Sequence, residues 1–177
     1  MLLALLFVAC RSTPVNPVDS SGLLQPEFWT VFQGSLGCTS SGIHLTTWNP
    51  EGTVGMDIHI PMLPSDSSTT RTFRLDRKDA IVMVETGQEI PLNFCVDEIV
   101  EIPVQQVYHS HSGTVTLSMN HNNNQKFATV KLSGVKLKSE SKNHQIELPD
   151  IQLTDVLIDA RRKQMSNRPR LQVAPTP

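Results

Sequence analysis

The sequence predicts an all-β domain, most simply a β-sandwich of two packed antiparallel sheets, with a closed β-barrel as the alternative. Three observations carry this expectation. From Trp29 onward, short runs rich in Val, Ile, Thr and Phe are separated by clusters of Gly, Pro, Asn and Ser. One run, Gly113 to Asn120, alternates strictly between apolar and polar residues. No run of helical period is long enough to suggest an extended helix.

The strands follow in order. Val31 to Leu36, Ile43 to Trp48 and Val54 to Ile60 come first, the last two flanking the turn sequence Asn49-Pro50-Glu51-Gly52. Thr70 to Leu75 and Ala80 to Glu85 follow. The second is apolar at both parities through Ala80-Ile81-Val82-Met83-Val84, which predicts a central strand covered on both sides. Val104 to Tyr108 is a further strand, and Ser112-Gly113 reads as a turn after it. In Gly113 to Asn120, Val115, Leu117 and Met119 share one face, and His121-Asn122-Asn123-Asn124 supplies residues that tolerate a left-handed turn. The return strand begins at Phe127, with Ala128, Val130 and Leu132 on one parity and Val135 and Leu137 on the other. An extra residue at Ser133-Gly134, a β-bulge, would restore one buried face. His144 to Leu148 and Ile151 to Ile158 complete the set. The prolines Pro61, Pro64, Pro91, Pro103 and Pro149 fall near strand ends, where a missing amide hydrogen does least harm.

Length allows one domain, placed at Phe28 to Ala160. Charged residues make up only 18% of the chain and Ser, Thr, Asn and Gln are abundant, a balance suited to a β-rich exported domain. The net charge of −2 gives no general attraction to phosphates, so nucleic acid is set aside as a partner.

Met1 to Ala9 is an uninterrupted apolar run, too short to span a bilayer but suited to the apolar stretch of a signal peptide. It ends at Phe7-Val8-Ala9-Cys10, which resembles the lipobox of bacterial lipoproteins, with Phe7 where that pattern usually has Leu. The resemblance implies that Cys10 is acylated and becomes the mature terminus, anchoring the chain to a membrane. No Lys or Arg precedes the run, which points to a natural start upstream of Met1. Plain secretion, or a buried terminal strand, are the competing readings. Residues Arg11 to Glu27 hold three prolines and a Ser-Ser-Gly, a composition expected of a flexible tether. The absence of Asp after Cys10 resembles patterns that sort lipoproteins to the outer membrane where the cell has one. With Cys10 acylated, Cys38 and Cys95 remain, and an even count in an oxidising compartment predicts a disulfide. It would close a loop of about 58 residues, worth about 4 kcal/mol on the chain-entropy model. Two buried thiols are the alternative. Neither a zinc ribbon nor a Cys-X-X-Cys redox site has this spacing.

Candidate chemistry is sparse. His109 and His111 flank Ser110 and would share a side in an extended strand, a weak metal site with His121 near in the chain, set against a solvated loop. Asp97, Glu98 and Glu101 offer oxygens for calcium or proton transfer, or simply a solvated strand edge. Trp29, Trp48 and Tyr108 are weak candidates for stacking on a sugar, with core packing the plainer role. His44, His59 and His144 lie in strand-like segments and read as surface or packed side chains. No Gly-x-Ser-x-Gly elbow, His-Glu-x-x-His helix, phosphate loop or dinucleotide fingerprint occurs, and no cofactor is expected. The tail from Arg161 to Pro177 holds five basic residues and no acid, and is expected to be a disordered solubilising end or a dock for anionic envelope polymers or lipid headgroups.

These readings converge on a non-enzymatic lipoprotein of the bacterial cell envelope. Its β domain would serve as a binding or structural module for an unknown envelope protein or polymer. The alternative is a carbohydrate- or small-ligand-binding domain, with a hydrolase behind it.

Overall fold

A computed structural model describes residues 23–25, 34–39, 42–61, 70–90, 103–123 and 125–159. The described residues form nine strands: β1 (Gly34–Thr39), β2 (Ile43–Trp48), β3 (Val54–Ile60), β4 (Thr70–Arg74), β5 (Ile81–Gly87), β6 (Val104–Asn122), β7 (Gln125–Ser139), β8 (Gln145–Glu147) and β9 (Ile151–Asp159). All nine belong to one mixed sheet in the order β4-β6-β5-β3-β2-β1-β9-β7-β8, with a further pairing of β6 to β7. That pairing makes the hydrogen bonding ring-like: β6, β5, β3, β2, β1, β9 and β7 follow one another back to β6. The two-sheet sandwich is therefore corrected to a single sheet that returns on itself. Only one junction of the ring is parallel, the short contact of β1 with β9 at Gly37↔Ile158 and Cys38↔Asp159.

The reason lies in the length of the β6–β7 hairpin. Sequence reading divides it at Ser112-Gly113, but β6 runs through that point because β7 pairs with it on both sides of the apparent turn. Each long strand then offers its other edge to two short partners. Along β6 lie β5, against His109 to Val104, and β4, against Thr114 to Ser118. Along β7 lie β8, against Lys136 to Lys138, and β9, against Lys126 to Leu132. All four lines of chain are irregular at the same level, and hydrogen bonds tie the breaks to the hairpin: Leu75 donates to the Gly113 carbonyl at 3.1 Å and Leu148 to the Val135 carbonyl at 2.8 Å.

At that level the buried face changes parity. On β7, Ala128, Val130 and Leu132 are fully buried before it and Val135 and Leu137 after it, as the bulge argument requires. Gly134 takes a φ of +59°. The partner strand makes the same exchange, from Tyr108 to Val115 and Leu117. Thr114↔Ser133 is followed by Ser112↔Lys136 and then Ser110↔Leu137, so an extra residue on β7 is cancelled by one on β6. A similar device recurs in β9, where Asp155 has a φ of +50° and its amide reaches the Thr129 hydroxyl at 3.3 Å. There the core contacts pass from Ile151 and Leu153 to Val156 and Ile158. Asn123, in the hairpin turn, has the expected left-handed backbone, with φ +48°.

The apolar interior is continuous, from Ile43, Leu45, Met56, Ile58 and Ile60 through Val82 and Val84 to the hairpin. β5 does lie between two strands, but its outer face is not fully covered: Ile81 is 37% exposed and Met83 half-buried. Leu24, expected in a free tether, is buried in the same core, and its amide donates to the Tyr108 hydroxyl at 3.2 Å.

The two hairpin glycines fail differently when substituted. A side chain on Gly134 meets nothing within 4 Å, so Gly134→Ala carries only the left-handed penalty, expected to be about 1 kcal/mol, with Gly134→Asn costing less. A Cβ on Gly113 would lie 2.7 Å from both the Gly134 carbonyl oxygen and the Val135 Cα, so Gly113→Ala should cost distinctly more. Equal losses for the two alanine variants in urea unfolding would contradict the close-approach argument.

Candidate functional site

The β2–β3 turn sets the register of what lies behind it. Asn49 is fully buried, and its side-chain oxygen accepts from the amides of Thr53 at 2.8 Å and Val54 at 2.9 Å. Its amide nitrogen donates to the Thr53 hydroxyl and the Glu51 carboxylate, so the side chain reproduces and locks a turn. Gly52 completes it at φ +68°. From this turn the strands zip in one register, Trp48↔Gly55 to Ile43↔Ile60. Ile43, Leu45, Ile58 and Ile60 enter the core, so the alternate residues His44, Thr46, Asp57 and His59 share the opposite face.

There His44 stands directly opposite His59. Their rings stack nearly parallel, with centroids 4.1 Å apart and planes 11° from parallel. Asp57, diagonal to His44, places a carboxylate oxygen 3.3 Å from its Nδ1. The Asp57 side chain is only 10% exposed and that of His44 25%. Asp57 Oδ1 and His59 Nε2 are buried without a hydrogen-bond partner. Burial pushes the His59 imidazole below its ordinary pKa, its neighbour His44 adds to the effect, and Asp57 opposes it.

The chemistry open to this cluster is proton exchange. Parallel rings aim their in-plane lone pairs side by side and do not converge on a point. Among the described residues no group of three or more His, Cys, Asp or Glu is placed to hold a metal ion.

The sites expected from sequence are dispersed. Tyr108 is 0% exposed; its hydroxyl lies 3.2 Å from His144 Nδ1 and its ring meets that imidazole edge-on, so it has no face to offer a sugar. Trp48 is half-buried at the end of β2. His109 Nε2 lies 2.7 Å from a Glu140 carboxylate oxygen. His111 is the residue passed over between Ser110↔Leu137 and Ser112↔Lys136, which breaks the repeat meant to align it with His109. Both belong to β6 and not to a polar loop. Cys38 lies half-buried on β1 and is the only cysteine among the described residues. Cys10, Cys95, Trp29, Asp97, Glu98, Glu101 and the basic tail lie outside them, so the Cys38–Cys95 pairing does too.

The histidine pair escaped sequence reading although its signal was present. Once Asn49-Pro50-Glu51-Gly52 is taken as the turn, counting back from Trp48↔Gly55 brings His44 opposite His59.

The lowered His59 pKa fixes a direction for stability. As pH falls, the unfolded chain takes up this proton before the folded one does. Stability should therefore be full above about pH 6.5 and decline below it toward the depressed folded-state value. Urea midpoints measured from about pH 7.5 to about pH 5 should fall, and His59→Gln should flatten part of that slope. An unchanged slope in the variant would remove His59 as its source. Compared with known proteins, the chain matches no family, no curated protein and no solved structure.

Proposed function

We propose that this protein is a non-enzymatic lipoprotein of the bacterial cell envelope, held to the membrane through acylated Cys10, whose β domain binds or braces an envelope protein or polymer. The observation that carries the binding role is the burial of Tyr108. With that ring inside the core and Trp48 half-buried, the described aromatic residues make no exposed row for a sugar, and this favours a partner recognised by polar strand faces. The β4–β6 pair has a face of that kind: Thr70 meets Ser118 at 2.8 Å and Thr72 meets Thr116 at 3.1 Å, hydroxyl to hydroxyl. The anchor rests on Met1 to Cys10 of the sequence, and Leu24 docked against Tyr108 would bring the tether to the domain.

Metabolic labelling with a fatty-acid analogue, using the natural start of translation, is expected to mark the wild type and not Cys10→Ala; label retained by the variant sinks the anchor. For the body of the domain we propose a Cys38–Cys95 disulfide, matching export to an oxidising compartment. Mass mapping without reduction should recover the two joined peptides, and two alkylatable thiols in freshly exported protein would contradict it.

A further inference from the structure

We propose that His44, Asp57 and His59 form a one-proton switch on the outer face of the β2–β3 hairpin: the closed fold holds a single proton there, and uptake of a second opens this face in mild acid. The inference stands apart from the envelope reading, since it rests on described side chains alone.

The geometry sets the count. One carboxylate serves two imidazoles, and it touches His44, not His59. Any positive charge placed on His44 would have the Asp57 carboxylate 3.3 Å away to offset it. A second proton, on His59, would place two imidazolium rings face to face at 4.1 Å, and among the described residues Asp57 is the one carboxylate that touches the pair. Depressed proton affinity of His59 through burial and through His44 agrees with this order.

Among the described residues, none of the ladder partners of the two histidines is a carboxylate. On β1, Cys38 pairs with His44; on β5, Ile81 pairs with His59 and Met83 with Asp57. The nearest acid on β5, Glu85, is level with Gly55, one pleat beyond Asp57. On β6 the next group in the row, His109, is itself cationic when protonated and is engaged with Glu140. A second charge would push apart two residues that are directly opposed in the ladder, and the response proposed is a loosening of β2 from β3.

The test is a histidine-ring NMR titration of the full chain, read together with amide hydrogen exchange across Val54 to Ile60. While those amides stay protected, one ring of the pair should take a proton and the other should not. Protonation of His59 should coincide with loss of protection. In His44→Gln, His59 should accept its proton within a protected hairpin and at a higher pH than in the wild type. Asp57→Asn should move the opening to higher pH by removing the carboxylate that touches His44. Should Asp57→Asn fail to fold, the His44→Gln result decides alone, since it removes no buried carboxylate. Independent protonation of both rings in a protected hairpin, or a His59 titration unmoved by His44→Gln, overturns the proposal.

Discussion

Two neighbouring long strands exchange their buried faces at the same level, and the rest of the sheet is arranged around that exchange. A strand alternates sides with a period of two, so a single inserted residue reverses everything beyond it. Had only β7 carried the insertion, its register with β6 would have slipped and every later pair would mismatch. Because β6 carries a compensating residue, pairing resumes unchanged from Ser110↔Leu137 to Tyr108↔Ser139 while both buried faces have switched. The close approach of Gly113 to the Gly134 carbonyl and Val135 is the steric condition for this, and it admits no side chain at Gly113. The flanking strands β4 and β5, and β8 and β9, are separate pieces because neither line follows the bend without interruption.

The same economy of register operates in the β2–β3 hairpin with an opposite outcome. There the buried Asn49 side chain fixes a regular pairing with no bulge, and the regularity aligns two histidines that a one-residue slip would have sent to the core face. Asp57 lowers the cost of their proximity without removing it, since one of its oxygens is left unpartnered. Regular pairing and electrostatic tension are thus two consequences of one turn.

Local features of the fold were legible in the sequence, whereas closure stood there only as the alternative to a sandwich. Ile43–Trp48 and Val54–Ile60 carry their ends in plain turn residues, and the parity change at Ser133-Gly134 announces the bulge. What misled was Ser112-Gly113, which has turn composition but lies in mid-strand; composition cannot distinguish a turn from a glycine that permits close approach of two backbones. That division hid the long hairpin, while the number of short strands and the lack of a long helix suggested two sheets. Ring closure depends on β1 meeting β9, residues from opposite ends of the domain, and periodicity within each segment holds no information about that meeting. The candidate site was missed for a narrower reason: each histidine was judged within its own strand, and neither looks unusual until the register of the hairpin is written down.

The parallel seam between β1 and β9 has a consequence for how the chain folds. A ribosome delivers β1 long before β9 exists, so the outer edge of β1 must wait, its ladder donors and acceptors unclaimed, until the last strand is made. Closing the seam joins residues with nearly the whole domain between them, which costs loop entropy that local hairpins do not. The meander β1-β2-β3 and the β6–β7 hairpin are antiparallel neighbours in sequence, closed by short loops, whereas the two-pair seam joins strands from opposite ends of the domain. Gly37 suits the seam, because its bare α-carbon leaves the room that the Ile158 side chain occupies.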